Sequence, residues 1–120
     1  MNKHDVLKLQ VELGVNFPAD YSEGLVKGIV LPDQLLGYIF SDYATIKGIN
    51  NELRTGEFSR EWDRRWLIIG NDASGNLFFL NTDVISSPVY LWDHETHEKL
   101  QIAESYLLFH RRLIEHRELF

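Results

Sequence analysis

The sequence predicts an α+β domain in which helices pack against one face of a mainly antiparallel sheet. Apolar residues recur at spacings of three and four between residues 6 and 53 and again from residue 102, the mark of helices with one buried face. Between residues 66 and 92 the period shortens to brief runs of aromatic and branched residues, each bounded by Gly, Asn, Asp, Ser or Pro. Helices, then strands, then a helix is the order of an α+β rather than an alternating α/β fold. At 120 residues, 44% apolar and 25% charged, the chain has the length and mix of one folded domain over residues 1–120.

Each element has its own signals. Val6, Leu9 and Leu13 predict a short first helix, capped by Asp5 and stopped by Gly14. Pro18 pre-sets the backbone of a second helix with Asp20 in its first turn; Tyr21, Leu25 and Val26 share a face, and Gly28 ends it. Residues 29 to 31 and 38 to 40 are short apolar stretches split by Pro32 and Gly37, a pattern that suits short strands. Asp42 caps a third helix through Ile46, Ile49 and Leu53, closed by Gly56. The charged residues 57 to 65 around Trp62 form a connecting loop. Residues 66 to 69, 77 to 80 and 89 to 92 are three strands of an antiparallel meander. Ile102, Tyr106, Phe109 and Leu113 make the stripe of a last helix packed on the sheet, with Arg111, Arg112 and Arg117 suited to its negative end.

Composition excludes several functions. Twelve Lys and Arg against eighteen Asp and Glu give a formal net charge of -6, which repels phosphate backbones and attracts basic partners, so nucleic acid is not an expected ligand. The absence of cysteine removes disulfides, thiolate metal sites and a Cys nucleophile, and fits a reducing cytosol. The first residues run into no apolar signal core, and no apolar stretch is long enough to span a bilayer. The expected location is the cytoplasm, with no membrane partner.

Residues 71 to 76 read N-D-A-S-G-N between two apolar runs. An EF-hand loop, a P-loop and a nucleophile elbow each need residues that are missing here, since Asp72 rather than Gly stands two before Ser74. A hairpin turn with positive φ at Gly75 and an Asx bond from Asn71 or Asp72 meets the pattern better. In D-H-E-T-H, Asp93, His94 and His97 form the best metal candidate, but the two histidines are three apart just after a strand, not four apart on a helix, which favours a solvated turn. His110 and His116, six apart, do not share a helix face, and no catalytic triad can be placed. Trp66, Phe78, Phe79, Tyr106 and Phe109 hold core-like positions. Trp62, among Arg60, Glu61, Asp63, Arg64 and Arg65, reads either as an exposed binding anchor or as a lid folded over the core. The interleaved acids make that loop a mixed solvated surface rather than a nucleic-acid patch.

Four pieces recur in a known order: L-G-V-N-F-P-A-D-Y, I-I-G-N-D-A-S-G-N-L-F-F-L-N, P-V-Y-L-W-D-H-E and I-A-E-S-Y-L-L-F. Together they resemble the SUKH superfamily, in particular its Smi/Knr group, over nearly the whole chain. Phe17 stands where that group usually has Leu, and Asn76 where it often has Asp. The resemblance implies an α+β sheet domain with no enzymatic role and no cofactor. Bacterial members look like immunity proteins that neutralise polymorphic toxins, many of them nucleases, and eukaryotic relatives serve as regulatory interaction modules.

The expected function is therefore that of an immunity protein whose partner is a cognate toxin domain. A regulatory or scaffold module is the alternative, and a metal-dependent hydrolase using Asp93, His94 and His97 a third reading. The loops are expected to present Asp63, Asp72, Asp83, Asp93 and Glu95 to the partner, with Trp62 as the anchor among them.

Overall fold

A computed structural model describes residues 1–115; the helix-end arginine Arg117 and His116 lie outside the described residues. The elements are α1 (Lys3–Leu13), α2 (Ala19–Lys27), a short 3₁₀ turn (Asp33–Leu35), α3 (Tyr43–Thr55), β1 (Trp66–Asn71), β2 (Leu77–Asn81), β3 (Val89–Trp92), β4 (Lys99–Ala103) and α4 (Tyr106–Ile114). The four strands form one antiparallel meander in the order β1-β2-β3-β4. This is the α+β arrangement of helices and meander that the sequence predicts, with one strand more.

α1, α3 and α4 start where a short polar side chain accepts from the first free backbone N–H groups, whereas α2 starts after Pro18 without such a cap. Asn2, not Asp5, caps α1: its Oδ1 accepts from the Asp5 backbone N–H at 2.8 Å, which places Asp5 inside the first turn. Asp42 accepts from Thr45 N–H at 3.0 Å, and Ser105 from Leu108 N–H at 3.2 Å. The cap at Ser105 also corrects the last stripe. Ile102 precedes it and belongs to β4, while Tyr106, Phe109 and Leu113 form the buried face of α4.

Residues 29 to 40 form no strand. Pro32 and Gly37 confine them to the 3₁₀ turn and an extended stretch that makes two backbone bonds with β1, Phe40 N–H to Ile69 C=O at 2.7 Å and Asn71 N–H to Gly37 C=O at 3.1 Å. The approach is close enough that a Cβ at Gly70 would lie 1.8 Å from the Tyr38 carbonyl oxygen, so only glycine fits there. Beside it the register of β1 on β2 shifts between Ile68 and Gly70.

The sheet is apolar on both faces, which is why its strands read as unbroken hydrophobic runs. One face carries Leu67, Phe78, Leu80 and Val89 against α1, α2 and α4. There the Phe78 and Phe109 rings meet at 5.0 Å and Tyr21 meets Tyr106 at 5.1 Å, both edge to face. The opposite face carries Ile68, Phe79 and Trp92 beneath Leu53 of α3 and the loop 57 to 65. No helix among the described residues is long and apolar enough to cross a membrane.

Candidate functional site

The meander decides which polar side chains meet. The β1–β2 and β3–β4 turns lie at one end of the sheet, the β2–β3 loop at the other. The loop 57 to 65 crosses the aromatic face between them as a strap.

At the first end the β1–β2 loop is a tight turn built on Asp72. Its Oδ1 accepts from Ser74 N–H and Asn76 N–H, both at 2.9 Å, and its Oδ2 accepts from the Asn76 side-chain amide at 3.0 Å. Gly75 has φ +91°, a conformation that costs other residues strain. Asn76 then reaches the neighbouring hairpin: its Oδ1 accepts from His94 N–H at 3.2 Å and lies 2.7 Å from His94 Nδ1. The amide at this position donates to Asp72 while accepting from His94; a carboxylate could only accept.

The β3–β4 turn is built the same way. Asp93 Oδ1 accepts from Glu95 N–H at 2.8 Å and Thr96 N–H at 3.1 Å, and these bonds hold its carboxyl below the usual carboxylate range. His97, the one non-glycine described residue with positive φ (60°), stacks on Trp92 at 4.9 Å and meets the edge of Phe58 at 5.1 Å. Its Nδ1 is 2.9 Å from Glu61 Oε2, which fastens the strap to the turn. His94 and His97 thus serve different neighbours. Among the described residues no group of three or more His, Cys, Asp or Glu is gathered to hold a metal ion.

The other end of the strap is fastened by Arg65, which bonds Asp63 through Nε at 3.0 Å and Nη2 at 2.6 Å and reaches Asp83 at 3.1 Å. The guanidinium draws the Asp63 carboxyl down to about 2. Trp62 lies between the fastenings and is 4% exposed, its ring packed on Trp66, Phe79 and Trp92 at 5.2 to 5.8 Å. It takes the lid arrangement. The exposed-anchor reading gives way because the sheet's second apolar face needs a cover and the strap supplies one.

The loop acids expected to share one surface therefore divide. Asp72, Asp93 and Glu95 stand at the turn end, whereas Asp63 and Asp83 sit at the far end and share Arg65, which offsets one of their two charges. The turn end gains acids that sequence reasoning did not single out. A groove of about 250 Å³ opens between the end of α3 and the two turns, with Ile49, Leu53, Phe58, Leu77 and Trp92 as its apolar lining. Glu52, Gly56, Glu57, Gly75 and His94 complete the lining, which contains no lysine or arginine. Glu52 and Glu57 form no ion pair among the described residues. The signal that could have pointed to them is two acids near the helix stop Gly56, one four residues before it and one directly after, but only the fold brings that pair beside the turns. Such a surface is suited to receive a cationic, partly apolar group and to repel phosphate.

Comparison with curated proteins gives no match. Residues 2–111 match the SMI1 / KNR4 family (SUKH-1), nearly the full length of the described structure. The chain belongs to that family.

Proposed function

We propose that the protein is a non-catalytic immunity protein that binds a cognate toxin domain through the acidic turn end and blocks it. The observation that carries this reading is an apolar groove lined by Glu52 and Glu57 and bordered by the two turns that carry Asp72, Asp93 and Glu95, in a chain of net charge -6. A nuclease must hold a phosphate backbone with cationic side chains, and an acidic surface of this kind competes for those side chains while shielding them from substrate. Membership of the SUKH-1 family supports the same reading. Asp63 and Asp83 take little part in it because they lie at the far end of the sheet and share Arg65, and Trp62 contributes by holding the strap in place.

The test is to search the genes beside this one for a toxin domain and to coexpress the two; absence of any such domain would count against the reading. Restored growth together with a purified one-to-one complex is the expected result, with an association rate that falls as salt rises. Failure to protect, or an association rate indifferent to salt, would count against it.

A further inference from the structure

We infer that the groove between α3 and the two hairpin turns is the seat of one arginine side chain of the partner protein. This rests on the reading of the turn end as the interface and adds to it the group that the interface is built to receive.

Size comes first. At about 250 Å³ the groove lies below the roughly 300–1,000 Å³ of most small-molecule sites, and a single long side chain fills such a space. The lining selects its chemistry. Half-buried Ile49, Phe58 and Leu77, with buried Leu53 beneath, offer contact to an aliphatic stem. The exposed Glu52 and Glu57 offer two carboxylates to its charged head. Because neither is paired among the described residues, none of the ion pairs described must break before a partner binds.

Arginine matches better than lysine for two reasons. Its planar guanidinium presents donors in several directions and so can serve two separate carboxylates, where an ammonium is a compact, strongly hydrated point. It also stacks on aromatic rings, and Phe58 and Trp92 stand edge to face at 5.3 Å within the lining. The walls are set before binding: Asn76 ties the β1–β2 turn to His94, and His97 ties the β3–β4 turn to Trp92, Phe58 and Glu61. A rigid seat loses little entropy on receiving a side chain, which is the usual setting of an arginine hot spot.

The probe is N-acetyl-arginine methylamide titrated into the isotope-labelled protein, with the citrulline analogue as its neutral isostere. Saturable NMR shifts at Leu53, Phe58, Leu77 and the Trp92 indole are expected with arginine at millimolar concentration. Citrulline should bind at least about 10-fold more weakly, as should arginine to the Glu52→Gln/Glu57→Gln double variant. Both substitutions are at exposed positions, and an unchanged thermal midpoint confirms that the fold is kept. Equal binding of the two probes, or an unaffected double variant, overturns the assignment. The neighbouring toxin domain separates the two readings. If it binds the double variant as tightly as the parent, the groove is refuted and the immunity reading stands. If it does not bind at all while the arginine probe behaves as expected, the immunity reading falls and the groove remains.

Discussion

The side-chain amide of Asn50 is bonded to both backbone groups of Ile68, its Oδ1 accepting from the Ile68 N–H at 2.8 Å and its Nδ2 donating to the Ile68 C=O at 3.0 Å. Nδ2 also donates to Ile46 C=O at 2.8 Å, and the residue is fully buried. One side chain from α3 thus meets the outer edge of β1 as a paired strand would. Asn50→Ala leaves a buried N–H and C=O of Ile68 unsatisfied, and a loss of about 2–4 kcal/mol is expected in urea unfolding. A loss under about 1 kcal/mol would mean that water replaces the amide.

The two faces of the sheet can be weakened one at a time. Phe109→Ala strikes the helix side and Trp62→Ala the strap side, and each should cost about 3–5 kcal/mol because both rings are buried. The tryptophan substitution should lower affinity for a partner only in proportion to the fraction of unfolded or strap-loosened protein. A variant of parental stability that has lost binding would restore Trp62 as a direct contact.

Acid stability carries the mark of Asp63. Its folded carboxyl titrates near 2 against an ordinary 3.8, so its pairing with Arg65 contributes above pH 3.8 and is lost as the pH falls toward 2. The pair is largely exposed, so the effect is modest and shrinks in salt. Asp63→Asn should flatten that part of the stability curve in low-salt buffer; an unchanged slope between pH 4 and 2 would show that the pairing does not bear on stability.

Two acids of the turn end should behave differently. Asp72 holds its turn together, and Asp72→Ala is expected to cost about 1–2 kcal/mol. Glu95 projects from its turn, with the His94 Nε2 3.9 Å away, and Glu95→Gln should shift stability by less than about 0.5 kcal/mol. Against the toxin domain, Glu95→Gln should lower the association rate and its salt dependence with little change in dissociation. Stopped-flow mixing at two salt concentrations measures both.

All four helices were legible because each has an apolar stripe and a start or stop signal beside it, and three strands because Phe78, Phe79 and their neighbours are buried on both faces. β4 was not, since Lys99, Leu100 and Gln101 are exposed and only Ile102 and Ala103 are buried. Ile102 compounds the problem: it lies four residues before Tyr106, so the end of a strand imitates the start of a helical stripe. Of the site, Asp72, Asp93 and Glu95 could be picked out as loop acids. Their separation from Asp63 and Asp83 depends on the direction of each strand, and the company of Glu52 and Glu57 on where α3 ends. Trp62 shows the same limit, because nothing in the charged loop 57 to 65 reveals that the sheet behind it still needs covering.

All three tryptophans of the chain, Trp62, Trp66 and Trp92, lie on the strap face within 5.8 Å of one another through Trp62, while the helix face holds Tyr21 and Tyr106. Their fluorescence is therefore a local reporter. Emission excited in the tryptophan band registers the strap and the groove and is blind to α1, α2 and α4, whose state is read by far-ultraviolet dichroism. A ligand seated at the turn end has an optical signature without any label, and a strap that loosens ahead of the helices would appear as two transitions where a single cooperative unit gives one.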